Sequence, residues 1–504
     1  MAADPIIERI LRARVYEVAR ESPLESAPAL SARFGERVWL KREDLQPVFS
    51  FKLRGAHNKL AALRPEELRR GVIAASAGNH AQGVALAAAR LGAAATIVMP
   101  RTTPSIKVGA VAALGAEVVL HGDGYDDALA EATRLQAARA LAPIHPFDDP
   151  DVIAGQGTIA VEILRQHPDP IDAIFVPVGG GGLLAGVLSY VKFLRPETQV
   201  VAVEPDDAAC LAAALEAGRP VPLDRVGLFV DGAAVRQVGD EPFRLVAGRV
   251  DGVVRVGIDE VCAAIQDLFE DTRVLAEPAG ALAVAGMKRW LEEKGEGQGR
   301  SLVAIQSGAN INFHRLRHIS ERAELGERRE AILAVTIPER PGSFRELCAT
   351  LRDWNVTEFN YRLADPNEAH VFVGLQLGDQ TRASVAGRLE AAGYPVVDMT
   401  DNEMALLHTR FMVGGRAPDL AGERLLRFEF PERPGALSRF LDLMDPRWNL
   451  SLFHYRNHGA AVGRVLAGIQ VPADEDASFL GYLAELGYPW IEETGNPAYQ
   501  LFLR

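Results

Sequence analysis

The chain has 504 residues, of which 48% are hydrophobic and 24% charged, so it holds enough apolar material for about three domains. Its 67 acidic and 54 basic residues give a formal net charge of -13, which disfavours nucleic acid and anionic membranes as partners. It contains neither a stretch of 18 apolar residues nor an apolar leader segment, so we expect no membrane span and a cytoplasmic protein.

The cysteines are Cys210, Cys262 and Cys348, which are far apart in the sequence. The absence of a C-x-x-C pair argues against a disulfide framework and a zinc site. Since no cluster of histidines and cysteines has metal-ligand spacing, we assign no metal.

Residues 1 to about 325 alternate β-rich apolar runs with alanine-rich helical stretches, a pattern typical of βαβ units with a parallel sheet. We predict strands at residues 72–76, 95–99, 117–120, 173–178, 200–203 and 302–306. The sequence therefore predicts an α/β domain over residues 1–325.

The rest of the chain is an internal duplication. The segment IPERPGSFRELCATLRDWNVTEFNYR, which begins at Ile337, recurs as FPERPGALSRFLDLMDPRWNLSLFHYR from Phe430. Each copy predicts a strand, a Pro-Gly turn, an amphipathic helix and a second strand, so we expect two α+β modules over residues 326–415 and 416–504. In the first copy, Ser343 and Glu346 have the spacing of a helix capping box. Such paired modules serve dimerisation, ligand sensing or a purely structural role.

A run of four glycines, Gly179, Gly180, Gly181 and Gly182, follows one predicted strand and precedes a helical stretch. Backbone N–H groups of such a run can approach an anion closely, and the helix N-terminus adds partial positive charge. The run has neither the lysine of a P-loop nor the spacing of a dinucleotide fold. It therefore predicts the phosphate site of another cofactor, with a plain glycine-rich turn as the alternative.

Lys52 lies between Phe51 and Leu53 at the start of a helical stretch. Burial would lower the pKa of its amine and favour the neutral form that Schiff-base formation or proton abstraction requires. Taken alone, the pattern is equally typical of a surface lysine whose stem covers apolar side chains.

Two further loops lie at predicted strand ends, where α/β sheets bind ligands. The first, Ser76-Ala77-Gly78-Asn79-His80, offers a hydroxyl, an amide and helix N-terminal N–H groups, and the second contains Ser307. Each could instead be an ordinary helix cap or turn.

Together, a lysine, a phosphate-binding glycine run, a Ser/Asn loop and a late serine fit pyridoxal phosphate better than any other cofactor. The chain resembles the biosynthetic threonine dehydratases, which are fold-type-II pyridoxal phosphate enzymes. The matching segments are KREDLQ from Lys41, SFKLRGA around Lys52, SAGNHAQG from Ser76, GGGGL from Gly179 and SGANINF from Ser307. The tail resembles their tandem ACT-like regulatory domains, so the resemblance covers almost the whole chain.

The resemblance implies a role for each of these segments. Lys52 would bond to the cofactor and act as the catalytic base, Asn79 would contact the ring hydroxyl, and Ser307 would meet the pyridine nitrogen. The phosphate would lie on Gly179, Gly180, Gly181, Gly182 and Leu183, and the substrate carboxylate on Ser76, Ala77, Gly78, Asn79 and His80. Racemising relatives have a serine at the position of Ala77, so racemisation is not expected.

The implied activity is dehydration and deamination of L-threonine to 2-oxobutanoate and ammonia, the first step of isoleucine biosynthesis. The resemblance also implies inhibition by isoleucine, opposed by valine, with Tyr361 and Tyr455 as effector residues, and a homotetramer. A core or interface role for the two tyrosines remains open. One alternative is an enzyme of β-replacement on serine-type substrates, although such enzymes lack a duplicated tail of this type. The other alternative is a non-catalytic amino-acid sensor.

Overall fold

The chain forms two compact units, residues 1–326 and 327–504. The structure is a computed structural model and describes residues 5–122, 124–295, 297–313, 315–326, 329–363, 367–378, 380–402, 405–406, 410, 417, 420–431, 435–456, 462–496, 499 and 503. Within these ranges, every helix is too short or too polar to cross a membrane.

The helices of the first unit alternate with its strands along the chain. They are α1 (Pro5–Leu11), α2 (Pro28–Phe34), α3 (Lys52–Ala62), α4 (Pro65–Arg70), α5 (Asn79–Leu91), α6 (Ser105–Ala113), α7 (Tyr125–Arg139), α8 (Pro150–Gln166), α9 (Gly182–Leu194), α10 (Cys210–Ala217), α11 (Asp240–Val246), α12 (Ile258–Thr272), α13 (Pro278–Lys294) and α14 (Arg315–Gly326).

The strands of the first unit are β1 (Leu24–Ser26), β2 (Arg37–Arg42), β3 (Val72–Ala75), β4 (Ala95–Met99), β5 (Glu117–Leu120), β6 (Ala142–Pro143), β7 (Ala173–Pro177), β8 (Gln199–Pro205), β9 (Gly252–Val256) and β10 (Ser301–Gln306). They build two sheets, ordered β1-β2-β10-β7-β8-β9 and β5-β4-β3-β6. Neighbouring strands are parallel, apart from β1 and β2. The predicted α/β class with parallel sheets is confirmed, and the predicted strands lie within two residues of β3, β4, β5, β7, β8 and β10.

The helices of the second unit are α15 (Ser343–Leu351), α16 (Arg382–Ala391), α17 (Ala436–Leu443) and α18 (Asp476–Leu486). Its strands are β11 (Glu330–Pro338), β12 (Val356–Arg362), β13 (Glu368–Gln376), β14 (Val396–Asp398), β15 (Glu423–Pro431), β16 (Asn449–Arg456), β17 (Val462–Gln470) and β18 (Trp490–Glu492).

The strands of the second unit form one antiparallel sheet, ordered β14-β11-β13-β12-β16-β17-β15-β18. This order is symmetrical about its centre, where the equivalent strands β12 and β16 pair and Tyr361 lies opposite Phe453. The two sequence repeats are therefore related by a pseudo-twofold axis. The expected boundary between them, at residues 415 and 416, lies outside the described residues.

The helix α15 begins differently from the sequence expectation. Gly342 is the N-cap of α15 and has φ +95°, so Ser343 is the first helical residue rather than the cap. Its hydroxyl is buried and has no hydrogen-bond partner among the described residues. The predicted capping box of Ser343 and Glu346 is therefore wrong, and α17 also starts from a left-handed glycine, Gly435.

A buried ion network fixes α3, the helix that Lys52 begins. Arg54 donates to both carboxylate oxygens of Glu43 at 2.8 Å and to Glu162 at 2.6 Å. Lys41 donates to the other oxygen of Glu162, also at 2.6 Å. All four side chains are fully buried, so each charge depends on its partners to offset the loss of water.

We expect Arg54→Met to destabilise the first unit by about 3–5 kcal/mol, because it leaves the charges of Glu43 and Glu162 buried without their main partner. Urea unfolding, followed by circular dichroism, measures the loss. The control is Arg64→Met, which removes an exposed ion pair with Glu67 and should change little. Equal losses in the two variants would contradict the assignment.

Candidate functional site

Lys52 is the first residue of α3 and follows a loop that is joined to the end of β10. The amide of Phe51 donates to the carbonyl of Ser307 at 3.2 Å, and the amide of Ala309 donates to the carbonyl of Phe49 at 2.9 Å. Phe49 adopts φ +55°, a conformation that is uncommon for residues other than glycine. These contacts bring Lys52 and Ser307, about 250 residues apart in sequence, to one place.

The amine of Lys52 is held in a partly buried, weakly polar setting. Its Nζ donates to the carbonyl of Pro146 at 3.1 Å. Burial lowers its pKa from 10.5 to about 8, and the negative charge of Glu277 opposes part of that shift. A substantial fraction of the amine is therefore neutral near pH 8, as a nucleophile or base requires.

Asn79 lies at the centre of a hydrogen-bonded chain of three side chains. Its Nδ2 donates to Glu277 at 2.6 Å, and its Oδ1 accepts from Nδ2 of Asn310 at 2.7 Å. Asn310 also donates to the carbonyl of Val48, next to the Lys52 loop. The amide of Asn79 is thus fixed in orientation beside Lys52.

Glu277 was not predicted from the sequence, although it is the buried carboxyl of this site. Burial and the neighbouring charge of Asp231 raise its pKa from 4.5 to about 7, although the hydrogen bond from Asn79 lowers the pKa in part. It immediately precedes α13, and its own amide donates to the carbonyl of Gly308. A lone glutamate before a proline carries no sequence signal, so only the fold could identify it.

The glycine run connects β7 to α9 and packs tightly on both sides. A Cβ at Gly180 would lie 2.2 Å from the ring of Phe147, and one at Gly182 would lie 2.9 Å from the carbonyl oxygen of that residue. Gly181 is the N-cap of α9, with φ +90°, and makes no side-chain cap. Because Phe147 follows the carbonyl that accepts from Lys52, the run and Lys52 share one wall.

Ser307 follows β10 and is buried, with 3% of its surface exposed. Its hydroxyl donates to the carbonyl of Ala279, in the first turn of α13, at 3.1 Å. The hydroxyl oxygen can still accept or, after rotation, donate to another group.

The segment from Ser76 to His80 lies at the junction of β3 and α5, as predicted, and its last two residues begin the helix. Ser76, Ala77, Gly78 and Asn79 are partly exposed, and the hydroxyl of Ser76 accepts from the amide of Gly78 at 3.3 Å. His80 is buried, and its Nε2 donates to the carbonyl of Ile144 at 2.9 Å. Burial and the charge of Lys52 lower the pKa of His80 to about 3, so its ring is neutral.

These residues fit the phosphorylated aldehyde cofactor that the resemblance implies. A partly neutral lysine, an oriented amide and a neutral hydroxyl lie near a helix whose first turn has free backbone donors. The amine can bond to an aldehyde carbon, the amide can bind a ring hydroxyl, the serine hydroxyl can bind a ring nitrogen, and the helix N-terminus can bind a phosphate. Among the described residues, no group of three or more His, Cys, Asp or Glu side chains could hold a metal ion.

Tyr361 and Tyr455 lie in the second unit, on the central strands β12 and β16. The hydroxyl of Tyr361 donates to Glu339 at 2.6 Å. The two tyrosines line two separate cavities of that unit.

We expect Glu277→Gln to flatten the pH dependence of stability in the cofactor-free protein. Because folding raises this pKa from 4.5 to about 7, the unfolded chain loses the proton first as the pH rises. The contribution of Glu277 to stability is thus complete below pH 4.5 and falls by roughly 1–2 kcal/mol per pH unit up to pH 7. Urea unfolding midpoints between pH 5 and pH 7 measure this slope.

Glu216→Gln, on the exposed side of α10, is the matched control for this experiment and should keep the parent slope. An unchanged slope in Glu277→Gln would show that the carboxyl titrates normally in the folded chain.

Known protein families match both units of the chain. Residues 15–308 match the family of pyridoxal-phosphate dependent enzymes. Residues 321–409 and 414–503 each match the C-terminal regulatory domain of threonine dehydratase.

Full-length relatives narrow the family further. The chain is 57% identical over 507 residues to the biosynthetic L-threonine dehydratase of Burkholderia multivorans, with 100% of both chains covered. It is 53% identical to that of Escherichia coli over 499 residues, covering 99% of this chain and 96% of the relative. The solved structure of processed threonine deaminase isoform 2 from Solanum lycopersicum is 49% identical, with a TM-score of 0.62, and the match covers 63% of this chain and 92% of that one. The predicted resemblance and cofactor are confirmed: the chain belongs to the pyridoxal-phosphate dependent enzymes and, within them, to the biosynthetic threonine dehydratases.

Proposed function

We propose that the chain converts L-threonine to 2-oxobutanoate and ammonia with pyridoxal phosphate, as the first step of isoleucine biosynthesis. The observation that carries the proposal is the lowered pKa of Lys52 beside the fixed amide of Asn79. The full-length identity to biosynthetic L-threonine dehydratases supports threonine as the substrate.

The bound cofactor would withdraw electrons from Cα of the substrate. Nζ of Lys52, in its neutral form, takes the Cα proton. Asn79 would contact the ring hydroxyl, and the first-turn N–H groups of α9, with Gly179 to Leu183, would bind the phosphate. Ser307 would offer the ring nitrogen a neutral hydroxyl, which would not hold a proton on that nitrogen as a carboxylate would.

The loop from Ser76 to His80 would bind the substrate carboxylate through backbone N–H groups at the start of α5. At the second loop position Ala77 has no hydroxyl to return a proton to the opposite face of Cα, so racemisation lacks its donor.

The second unit would make the enzyme responsive to the end product. We propose that isoleucine inhibits turnover and that valine opposes it, with Tyr361 and Tyr455 near the effector sites. A cytoplasmic homotetramer is the proposed working form.

The deciding measurement is release of 2-oxo acid from L-threonine by the purified holoenzyme, with and without L-isoleucine. We expect turnover that isoleucine suppresses and valine restores. Turnover that isoleucine does not change would refute the proposed regulation. Absence of turnover would refute the proposed dehydration of L-threonine and would favour β-replacement or an amino-acid sensor.

We expect Lys52→Ala to abolish the visible absorbance of the bound cofactor and to lower turnover by more than about 100-fold, because both need the same amine. Lys59→Ala is the control, since Lys59 lies on the same helix and pairs with Asp149 instead. Absorbance spectra and the 2-oxo acid assay measure the two effects. Retained turnover in the folded Lys52→Ala variant would refute the role of Lys52.

A further inference from the structure

The residues just before α8, His145 to Asp149, form one side of the candidate site, and we call them the 145–149 turn. The carbonyl of Pro146 accepts from Nζ of Lys52 at 3.1 Å. The next residue, Phe147, packs against the glycine run before α9. One short segment therefore contacts both the reactive amine and the phosphate-binding loop.

Two carboxylates anchor the 145–149 turn to helices of the first unit. Asp148 accepts from the amides of Asp240 and Glu241, at the start of α11, at 3.2 and 2.9 Å. Asp149 caps the N-terminus of α8 and pairs with Lys59 of α3 at 2.7 Å. Because these anchors lie at one end of the turn, its internal conformation decides where its carbonyls and its aromatic ring point.

The imidazole of His145 fixes that internal conformation. Its Nδ1 accepts from the amide of Phe147 at 3.3 Å and from the amide of Asp148 at 2.7 Å. Among the described residues, no backbone carbonyl accepts from these two amides. The ring also meets that of Phe147 edge-on, with 4.7 Å between the ring centroids. A side chain thus supplies the hydrogen bond that a backbone carbonyl usually supplies in a β-turn.

These contacts define the protonation state of His145. A backbone amide can only donate, so Nδ1 accepts with its lone pair and the ring is neutral, with its proton on Nε2. A proton on Nδ1 would point an N–H group at two other N–H groups. Since His145 is exposed to solvent, water can deliver that proton. The turn is therefore compatible with the neutral ring alone.

The groups around the ring act on its pKa in both directions. Partial loss of water lowers the pKa of His145 from 6.5, and the charge of Lys52 does the same, whereas Asp148 and Asp149 raise it. His80, on α5, also faces it, with a neutral ring. Because the folded turn favours the neutral form, its stability is complete above pH 6.5 and is lost as the pH falls through the lowered value.

We propose that His145 is a positioning residue of the cofactor site: its neutral ring holds the turn that presents the Pro146 carbonyl to Lys52 and Phe147 to the glycine run. Protonation of the ring releases the turn and weakens the binding of pyridoxal phosphate. The inference goes beyond the proposed function, since it concerns retention of the cofactor and applies to any reaction that the cofactor supports.

The test uses a variant that keeps the acceptor and removes the titration. Nδ1 of histidine and Oδ1 of asparagine are both bonded to Cγ, so His145→Asn can accept from the same two amides at every pH. His145→Ala has no acceptor. Equilibrium dialysis of the full-chain holoenzyme against pyridoxal phosphate, without threonine, measures the dissociation constant of each variant at pH 8 and pH 5.5.

At pH 8 we expect His145→Ala to weaken cofactor binding by about 10-fold, the effect of the lost hydrogen bonds, and His145→Asn to stay within about 3-fold of the parent. Between pH 8 and pH 5.5 the parent should lose at least about 3-fold more affinity than His145→Asn, because only the parent can take up the proton. His121→Ala, at an exposed histidine after β5, is the control and should match the parent at both pH values.

Equal pH dependence in the parent and His145→Asn would overturn the inference, as would an asparagine variant that binds the cofactor as weakly at pH 8 as His145→Ala does. Circular dichroism shows that each variant is folded. If the parent shows the expected cofactor binding but releases no 2-oxo acid from threonine, the inference stands and the proposed function falls. If the parent turns over threonine while all variants bind the cofactor alike, only the inference falls.

Discussion

The complete pairing of Arg54 is the constraint on which the catalytic unit depends. A guanidinium buried without water is tolerated only where carboxylates meet it, so Glu43 and Glu162 fix the position of α3 between the segment after β2 and helix α8. Lys52 lies two residues earlier on the same helix but meets a carbonyl oxygen at Pro146. The same short segment therefore contains one cation stabilised by ion pairs and one whose proton is easily lost. The ion network therefore fixes the position of Lys52 without forming an ion pair with its amine.

The titration of the site follows from the same balance between burial and charge. Burial lowers the pKa of Lys52 to about 8 and raises that of Glu277 to about 7, so the two groups approach one another from opposite directions. Asn79 contacts one of the two groups directly, because its amide donates to Glu277. His80 adds no charge, since burial holds its ring neutral. Near neutral pH the site thus holds few fixed charges of its own, which leaves the anionic groups of a cofactor and a substrate to be met mainly by backbone N–H groups and Lys52.

The sequence predicted those features that are local in the chain. The strands β3, β7 and β10 and the polar loops after them have clear periodicity and composition, and β7 and β10 are parallel neighbours whose carboxyl ends meet at one edge of a sheet. Strand β3 belongs to the other sheet, and the segment after it joins the site through the hydrogen bond from Asn79 to Glu277. Glu277, Phe147 and Arg345 were missed because their roles arise from contacts with distant segments: Glu277 meets an asparagine at position 79, and Arg345 meets carbonyls near position 441. The capping box at Ser343 was wrong because a left-handed glycine, Gly342, already occupies the cap and moves the serine one residue into the helix.

The duplicated unit shows how one substitution can separate two equivalent positions. The backbone arrangement is shared, since both helices begin at a left-handed glycine and both tyrosines lie on paired central strands. In the first repeat, the guanidinium of Arg345 donates to the carbonyls of Leu441 and Met444 at the end of α17. The second repeat has Ser438 at the equivalent position, and a serine side chain is too short to make such contacts with the end of α15. One substitution therefore gives two repeats of the same backbone arrangement different polar contacts between their paired helices.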